Sequence, residues 1–259
     1  MKDDNNLTRR FGTGPVFITA ISTILGAILF LRFGYAVGTL GFIGVVLIIL
    51  LGHLVTIPTA LAISELATNK RVEGGGEYFI ISRSFGLNIG GTIGISLYLS
   101  QAISIAFYVI AFTESFDFLF TLFAEHFGWV LPRQAVSLPV MGILTFMILK
   151  RGANIGVKAL YLVAGILVIS LLMFFLGKPT AQAVTGFSIS NIEFRNPQSF
   201  FMVFAIIFPA FTGMTAGVGL SGDLKNPGRS IPIGTLGGTL TGMVIYFFII
   251  WKLASSASV

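Results

Sequence analysis

The residues of this chain best suited to hold an ion lie in two apolar stretches where hydroxyls are followed by glycine. The first reads Ile18-Thr19-Ala20-Ile21-Ser22-Thr23-Ile24-Leu25-Gly26-Ala27-Ile28. The second reads Ile207-Phe208-Pro209-Ala210-Phe211-Thr212-Gly213-Met214-Thr215-Ala216-Gly217-Val218-Gly219. Pro209 has no N–H and clashes with the preceding helical turn. A helix broken at membrane depth frees backbone groups that need partners. Freed carbonyls can coordinate a cation. Freed N–H groups at the start of a half-helix can hold an anion, helped by the helix dipole. Small residues also pack membrane helices closely. In the first stretch the two readings weigh equally; in the second, proline and the run of glycines favour a break.

A third stretch carries a polar stripe. Ser96, Ser100, Ser104 and Tyr108 recur every four residues, with Gln101 beside them. That spacing puts them on one drifting helix face. The serines read as hydroxyls that bond neighbouring helices, whereas the long phenol of Tyr108 can reach a broken helix. No carboxylate stands at the centre of any of these three stretches. A cation bound here therefore needs a neutralising partner, either a co-bound anion or the second charge of a zwitterion. Arg32 lies six residues beyond Gly26, and Glu114 six beyond Tyr108, each about 9 Å along its helix. The two can pair as an outer gate, or Arg32 can snorkel to the interface.

Other polar residues carry less. His53 stands among apolar residues as a helix-packing donor, and His126 has no obvious partner. Neither forms a metal-ligand spacing, so no metal is expected beyond a transported alkali cation. Val72-Glu73-Gly74-Gly75-Gly76-Glu77 is glycine-rich but lacks the Gly-Lys-Ser/Thr ending of a phosphate loop. It reads as a hinge into a short amphipathic stretch, Tyr78–Phe85. No nucleophile elbow with triad partners appears. Neither an enzyme nor a cofactor is expected.

The elements that position these residues follow from composition. The 259 residues are 55% hydrophobic and only 10% charged, against about 25% charged in soluble domains. So few charges cannot cover a soluble fold of this size. The net charge of +6 is spread between apolar runs rather than gathered in a patch, which argues against nucleic-acid binding. There is no cysteine, so disulfides and thiolate chemistry are excluded. The class is an all-α integral membrane protein in a lipid bilayer. A span needs about 20 apolar residues, and seven candidates appear: Val16–Gly38, Phe42–Leu66, Ile89–Phe112, Val136–Leu149, Leu160–Leu176, Phe200–Leu220 and Ile233–Leu253. The fourth is short and extends into its flanks if it spans.

Orientation follows from the basic residues. Lys2, Arg9, Arg10, Lys70, Arg71, Arg83, Lys150, Arg151, Lys158, Lys225 and Arg229 fall on one side. Arg32, Arg133, Lys178, Arg195 and Lys252 fall on the other. The richer side is cytoplasmic, and residues 1–14 form a cytoplasmic segment before a transporter domain at 15–259. The plasma (inner) membrane is the expected location. The broken spans one and six are five apart, which fits two five-helix inverted repeats. Seven spans would then be one repeat and two helices of the next, so the sequence reads as truncated.

Several motifs resemble a family. Gly26-Ala27-Ile28-Leu29-Phe30-Leu31-Arg32-Phe33-Gly34 resembles the first helix of the cation-chloride cotransporters, within the amino acid–polyamine–organocation superfamily. So does Gly74-Gly75-Gly76-Glu77-Tyr78-Phe79-Ile80-Ile81-Ser82-Arg83-Ser84-Phe85-Gly86. Ile105-Ala106-Phe107-Tyr108-Val109-Ile110-Ala111-Phe112-Thr113-Glu114 is similar to their third helix. Most specific are Phe208-Pro209-Ala210-Phe211-Thr212-Gly213, then Ser221-Gly222-Asp223-Leu224-Lys225-Asn226-Pro227 and Ser230-Ile231-Pro232-Ile233-Gly234-Thr235-Leu236.

The resemblance implies a five-plus-five inverted-repeat fold with broken helices one and six. It implies electroneutral symport of chloride with potassium, sodium or both. The cation would meet backbone near Thr23 and Ile24, the Tyr108 hydroxyl, the Pro209 carbonyl and Thr212. One chloride would meet N–H groups at Gly26, Ala27 and Ile28, and a second those at Gly213, Met214 and Thr215. Arg32 and Glu114 match an outer-gate pair. The position of Thr23 is commonly Asn in the animal members, and the change bears on cation preference. Families of this kind often dimerise through later helices or a soluble tail, so the partners implied are ions, lipid and, at full length, a second copy. The alternative is an amino acid permease of the same superfamily, holding a zwitterion at the same breaks.

Overall fold

The computed structural model describes residues 11–69, 74–151, 153–178 and 192–256. Among them the chain is helical throughout its regular structure, apart from one isolated backbone bridge between Phe11 and Leu224. The α-helices are α1 (Thr13–Ile24), α2 (Ala27–Asn69), α3 (Gly76–Phe85), α4 (Leu87–Glu114), α5 (Asp117–Phe127), α6 (Gln134–Arg151), α7 (Ala153–Leu176), α8 (Phe200–Ile207) and α9 (Pro227–Ser256). Three 3₁₀ segments, Pro197–Ser199, Phe208–Phe211 and Gly213–Asp223, flank α8. Lys2, Arg9, Arg10, Lys70 and Arg71, counted above for orientation, lie outside the described residues, as does most of the segment 1–14.

Thr13–Asn69 is one apolar stretch of 57 residues. At 1.5 Å per residue it would be about 86 Å long, nearly three times the hydrocarbon core. It is divided twice. α1 stops at Leu25, whose ψ of 41° leaves the helix, and α2 starts again at Ala27. Gly41 then takes φ 71° and ψ 179°, which a side chain would resist. The peptide there is held by Arg195, whose N–H donates to the Leu40 carbonyl at 2.9 Å. Span one is thus α1 plus the start of α2, and span two is the remainder of α2.

The other spans follow in order. α4, α7 and α9 are spans three, five and seven, whereas α6 takes up the fourth run but among the described residues falls short of a span's length, its apolar part being Gln134–Met147. α6 extends the short fourth run into both flanks. Span six is α8 followed by two 3₁₀ segments, so its second half is not α-helical. The four glycines and Thr215 of Gly213–Asp223 are weak α-formers, and the tighter winding runs for 11 residues. α3 is the expected amphipathic helix, and α5 lies in the loop expected outside.

The core lies among α1, α2, α8, the 3₁₀ segments and α9. Phe33, Leu40, Ile48, Ile207, Phe211, Tyr246 and Ile250 form its centre, each at most 1% exposed. A smaller cluster of Val16, Ala67, Ile80, Val218, Leu224 and Ile231 closes the α3 end. α1 lies close on α9 because glycines recur there every fourth residue. A Cβ at Gly238 would stand 2.8 Å from the Cβ of Ala20, and one at Gly242 would stand 2.6 Å from Cγ2 of Ile24. Small residues at such a seam let two backbones approach.

Candidate functional site

The two breaks lie against each other. A Cβ on Gly213, the first residue after the break in span six, would stand 2.7 Å from Cγ2 of Thr23, at the end of α1. Only glycine permits that approach. Beside this contact a cavity of about 600 Å³ opens between α3, α4 and the broken spans. Thr23, Tyr108, Thr212, Gly213 and Thr215 line it together. Of the expected ion ligands, these five are brought to one space. Ile24, Gly26, Ala27, Ile28, Pro209 and Met214 do not line it.

The hydroxyls at the breaks are turned into acceptors. Thr23 Oγ1 donates to the Thr19 carbonyl at 2.7 Å, and Thr212 Oγ1 donates to the Pro209 carbonyl at 2.8 Å. Each hydroxyl has spent its proton on the backbone and keeps its lone pairs. Such oxygens suit a cation. The neighbouring backbone offers the opposite polarity. Gly26, Ala27 and Ile28 stand at the start of α2, and Gly213, Met214 and Thr215 at the start of a 3₁₀ segment. The first N–H groups of a helix have no intrahelical acceptor, and this is what an anion needs.

Tyr246 on α9 joins the two breaks, a role the sequence did not disclose. It is fully buried, and its hydroxyl lies on the Ile24 carbonyl of span one and on the Ala210 carbonyl of span six, at 2.8 Å for the second. One O–H is shared between two carbonyls that the breaks release. Its ring stacks on Phe33 with centroids 4.9 Å apart and meets Phe211 edge-on at 5.4 Å. The Ile24 carbonyl, expected as a cation ligand, therefore already accepts a hydrogen bond. His53 is the packing donor expected: Nδ1 donates to the Ile49 carbonyl at 2.8 Å, and its ring lies 5.2 Å from that of Phe211.

Arg32 and Glu114 pair directly, Nη2 to Oε2 at 3.2 Å. The pair joins α2 to the C-terminal end of α4, six residues past Tyr108. Of the serine stripe, Ser100 and Ser104 line the cavity with Gln101. Ser96 is turned back to the Thr92 carbonyl at 3.0 Å. Glu77 also lines the cavity, the one acidic side chain among the described lining residues. It was read as part of a hinge. The missing signal is tertiary: α3 returns onto span six, where Gly76 lies so close to Gly219 that a Cβ would stand 3.3 Å from its Cα.

Comparison with known proteins bears on this geometry. A family model described as amino acid permease matches residues 15–256. Among curated proteins, the chain is 34% identical to solute carrier family 12 member 2 of Mus musculus, over 93% of this chain and 21% of that protein. It is 34% identical to solute carrier family 12 member 1 of Homo sapiens, over 91% of this chain and 23% of that protein. It is 33% identical to solute carrier family 12 member 3 of Mus musculus, over 96% of this chain and 26% of that protein. The chain thus spans about a fifth to a quarter of the length of these relatives. They match the resemblance to cation-chloride cotransporters carried by the motifs above.

Proposed function

Since the chain belongs to the amino acid permease family, with the five-plus-five membrane fold that family implies, we propose that it is a secondary transporter coupling chloride to a monovalent alkali cation in electroneutral symport, and not an enzyme. The observation that carries this reading is the polarity of the paired breaks. Hydroxyls whose O–H is donated to the backbone line the cavity beside Tyr108, while helix-start N–H groups lie one to five residues along the chain. A cation and an anion can then bind at neighbouring backbone breaks and neutralise each other. At this level no carboxylate lines the cavity; Glu77 stands on the α3 side of it.

In this reading Thr23, Tyr108 and Thr212 hold the cation, with the carbonyls of Ile24 and Pro209. Gly26, Ala27 and Ile28 hold one chloride, and Gly213, Met214 and Thr215 a second. Arg32 and Glu114 close the outer side. The α3 face is cytoplasmic, as is the N-terminus, in a plasma membrane. The backbone bridge from Phe11 to the segment after span six supports a common side for both.

The test is tracer rubidium uptake by the protein in proteoliposomes, with chloride replaced by gluconate. Uptake that requires chloride is expected. The family match itself favours a second reading, in which one amino acid fills both roles, its carboxylate on the N–H groups and its ammonium on the carbonyls. Rubidium uptake indifferent to chloride, with uptake of an amino acid from a labelled panel, would establish that reading instead.

A further inference from the structure

Glu77 is the one charged side chain among the described lining residues of the cavity, and the proposed ion sites leave it unused. Its place can be read from the packing of α3 on α4. Gly90 lies against Ser82, and a Cβ at Gly94 would stand 3.0 Å from the ring of Tyr78. The two helices therefore run antiparallel, with each step along α3 matched by a step back along α4. Continuing that register places Glu77 beside the turn of α4 that reaches Leu97, which lines the same cavity. From Leu97 to Tyr108 is eleven residues, about 16 Å of helix. Between them Gln101 and Ser104 face the cavity. One side of the cavity is therefore a ladder of polar groups about 5 Å apart, with a carboxylate at its foot and the paired breaks at its head.

The charge at the foot is not matched by a cation in the wall. No Lys, Arg or His is among the described lining residues, and Glu77 makes no ion pair among the described residues. A narrow cleft lined by one sign of charge concentrates ions of the other sign. The charge stands on the α3 side of the cavity, so it acts first on an ion that enters from that face.

We propose that Glu77 forms, with Gln101, a second cation-binding station at the α3 end of the cavity, which loads a partly hydrated monovalent cation from that face and passes it along Ser104 to the breaks. This rests on the reading of the breaks as a cation site and adds a distinct, lower station to it.

Sidedness is what separates this role from a structural one. Rubidium flux is measured in proteoliposomes from each face in turn, orientation being fixed by an impermeant label. Glu77→Gln is expected to raise the half-saturating rubidium concentration about fivefold from the α3 face and less than twofold from the opposite face. Glu77→Asp should restore most of the loss, and Glu77→Lys should deepen it. Raising ionic strength with choline gluconate should shrink the difference between wild type and Glu77→Gln. Equal changes from both faces, or none, would overturn the proposal. Equilibrium rubidium binding in nanodiscs separates the two readings without flux. Tyr108→Phe should remove the tighter of two binding components and Glu77→Gln the weaker. Loss of the tighter alone in both variants sinks the lower station. A wild type that binds only at the lower station sinks the break site and leaves Glu77 standing.

Discussion

Two tyrosines face the breaks from opposite sides, and the difference in their surroundings sets opposite expectations. Tyr108 presents its ring and hydroxyl to the cavity and is 47% exposed. Tyr246 is sealed in the core and satisfies two carbonyls. Removing a buried donor leaves its acceptors unpaired, at about 1–3 kcal/mol. Tyr246→Phe should therefore lower the melting temperature in detergent and, by loosening both breaks, weaken rubidium binding as well. Tyr108→Phe should abolish rubidium uptake while leaving melting temperature and membrane insertion unchanged. The pair of variants, read by fluorescence-detected size exclusion on heating and by tracer uptake, distinguishes an ion ligand from a clamp. A Tyr108→Phe protein with normal uptake would remove that hydroxyl from the site.

At the scale of helices, the seam between α1 and α9 depends on which glycine faces it. A Cβ at Gly238 meets Ala20 at 2.8 Å, with no flexible end to yield. A Cβ at Gly237 meets only the ring of Phe17, at 3.4 Å. Alanine is the better helix former by up to about 1 kcal/mol. Gly237→Ala should thus stabilise, whereas Gly238→Ala should destabilise by about 1–3 kcal/mol through overpacking. Thermal melting of the two purified variants checks the signs. This seam also shows what the sequence could and could not disclose. The breaks were legible because Pro209, Gly26 and Gly213 interrupt otherwise monotonous apolar runs, and so was the turn near Gly41 between two spans. The 3₁₀ winding of Gly213–Asp223 was not, because its four glycines say that an α-helix is weak there without saying what replaces it. Tyr246 was hidden for another reason: a phenol inside Val244-Ile245-Tyr246-Phe247 looks like any apolar ring until the fold brings two free carbonyls to it. Glu77 was hidden by distance along the chain, since only the return of α3 onto span six puts it in the cavity.

Over the whole molecule, packing is uneven. The apolar window of Thr13–Asn69 is 50% buried and that of α9 44%, against 6% for α4. α4 carries Tyr108 and the polar ladder, yet it is held to the broken spans mainly at its ends. At its N-terminal end α3 packs on it; at its C-terminal end Glu114 reaches Arg32. The ion pair is half exposed at Arg32, so its static contribution to stability is small. In the proposed function it serves as a latch between α4 and α2. Arg32→Ala and Glu114→Ala should each impair uptake, and the double variant should lose no more than either alone, with a coupling of about 0.5–1 kcal/mol in a double-mutant cycle. Additive losses would dispose of the latch.

The bridge at Phe11 gives this arrangement a mechanical character. Phe11 donates to the Asp223 carbonyl at 3.0 Å and accepts from the Lys225 N–H at 2.8 Å. The half of span one before its break and the half of span six after its break are thereby pinned together at their far ends, and at the breaks Gly213 lies against Thr23, while Tyr246 ties the end of α1 to Ala210, on the α8 side of the second break. Two rods fastened at both ends make a closed linkage with one way to swing. Neither half can tilt and leave the other behind. In the proposed transport reading, whatever binds at one break loads a lever that the other break shares, so a half-filled site pulls against its own missing cargo. Obligatory coupling, in such a frame, needs no signal between the ions beyond the stiffness of the part that carries them.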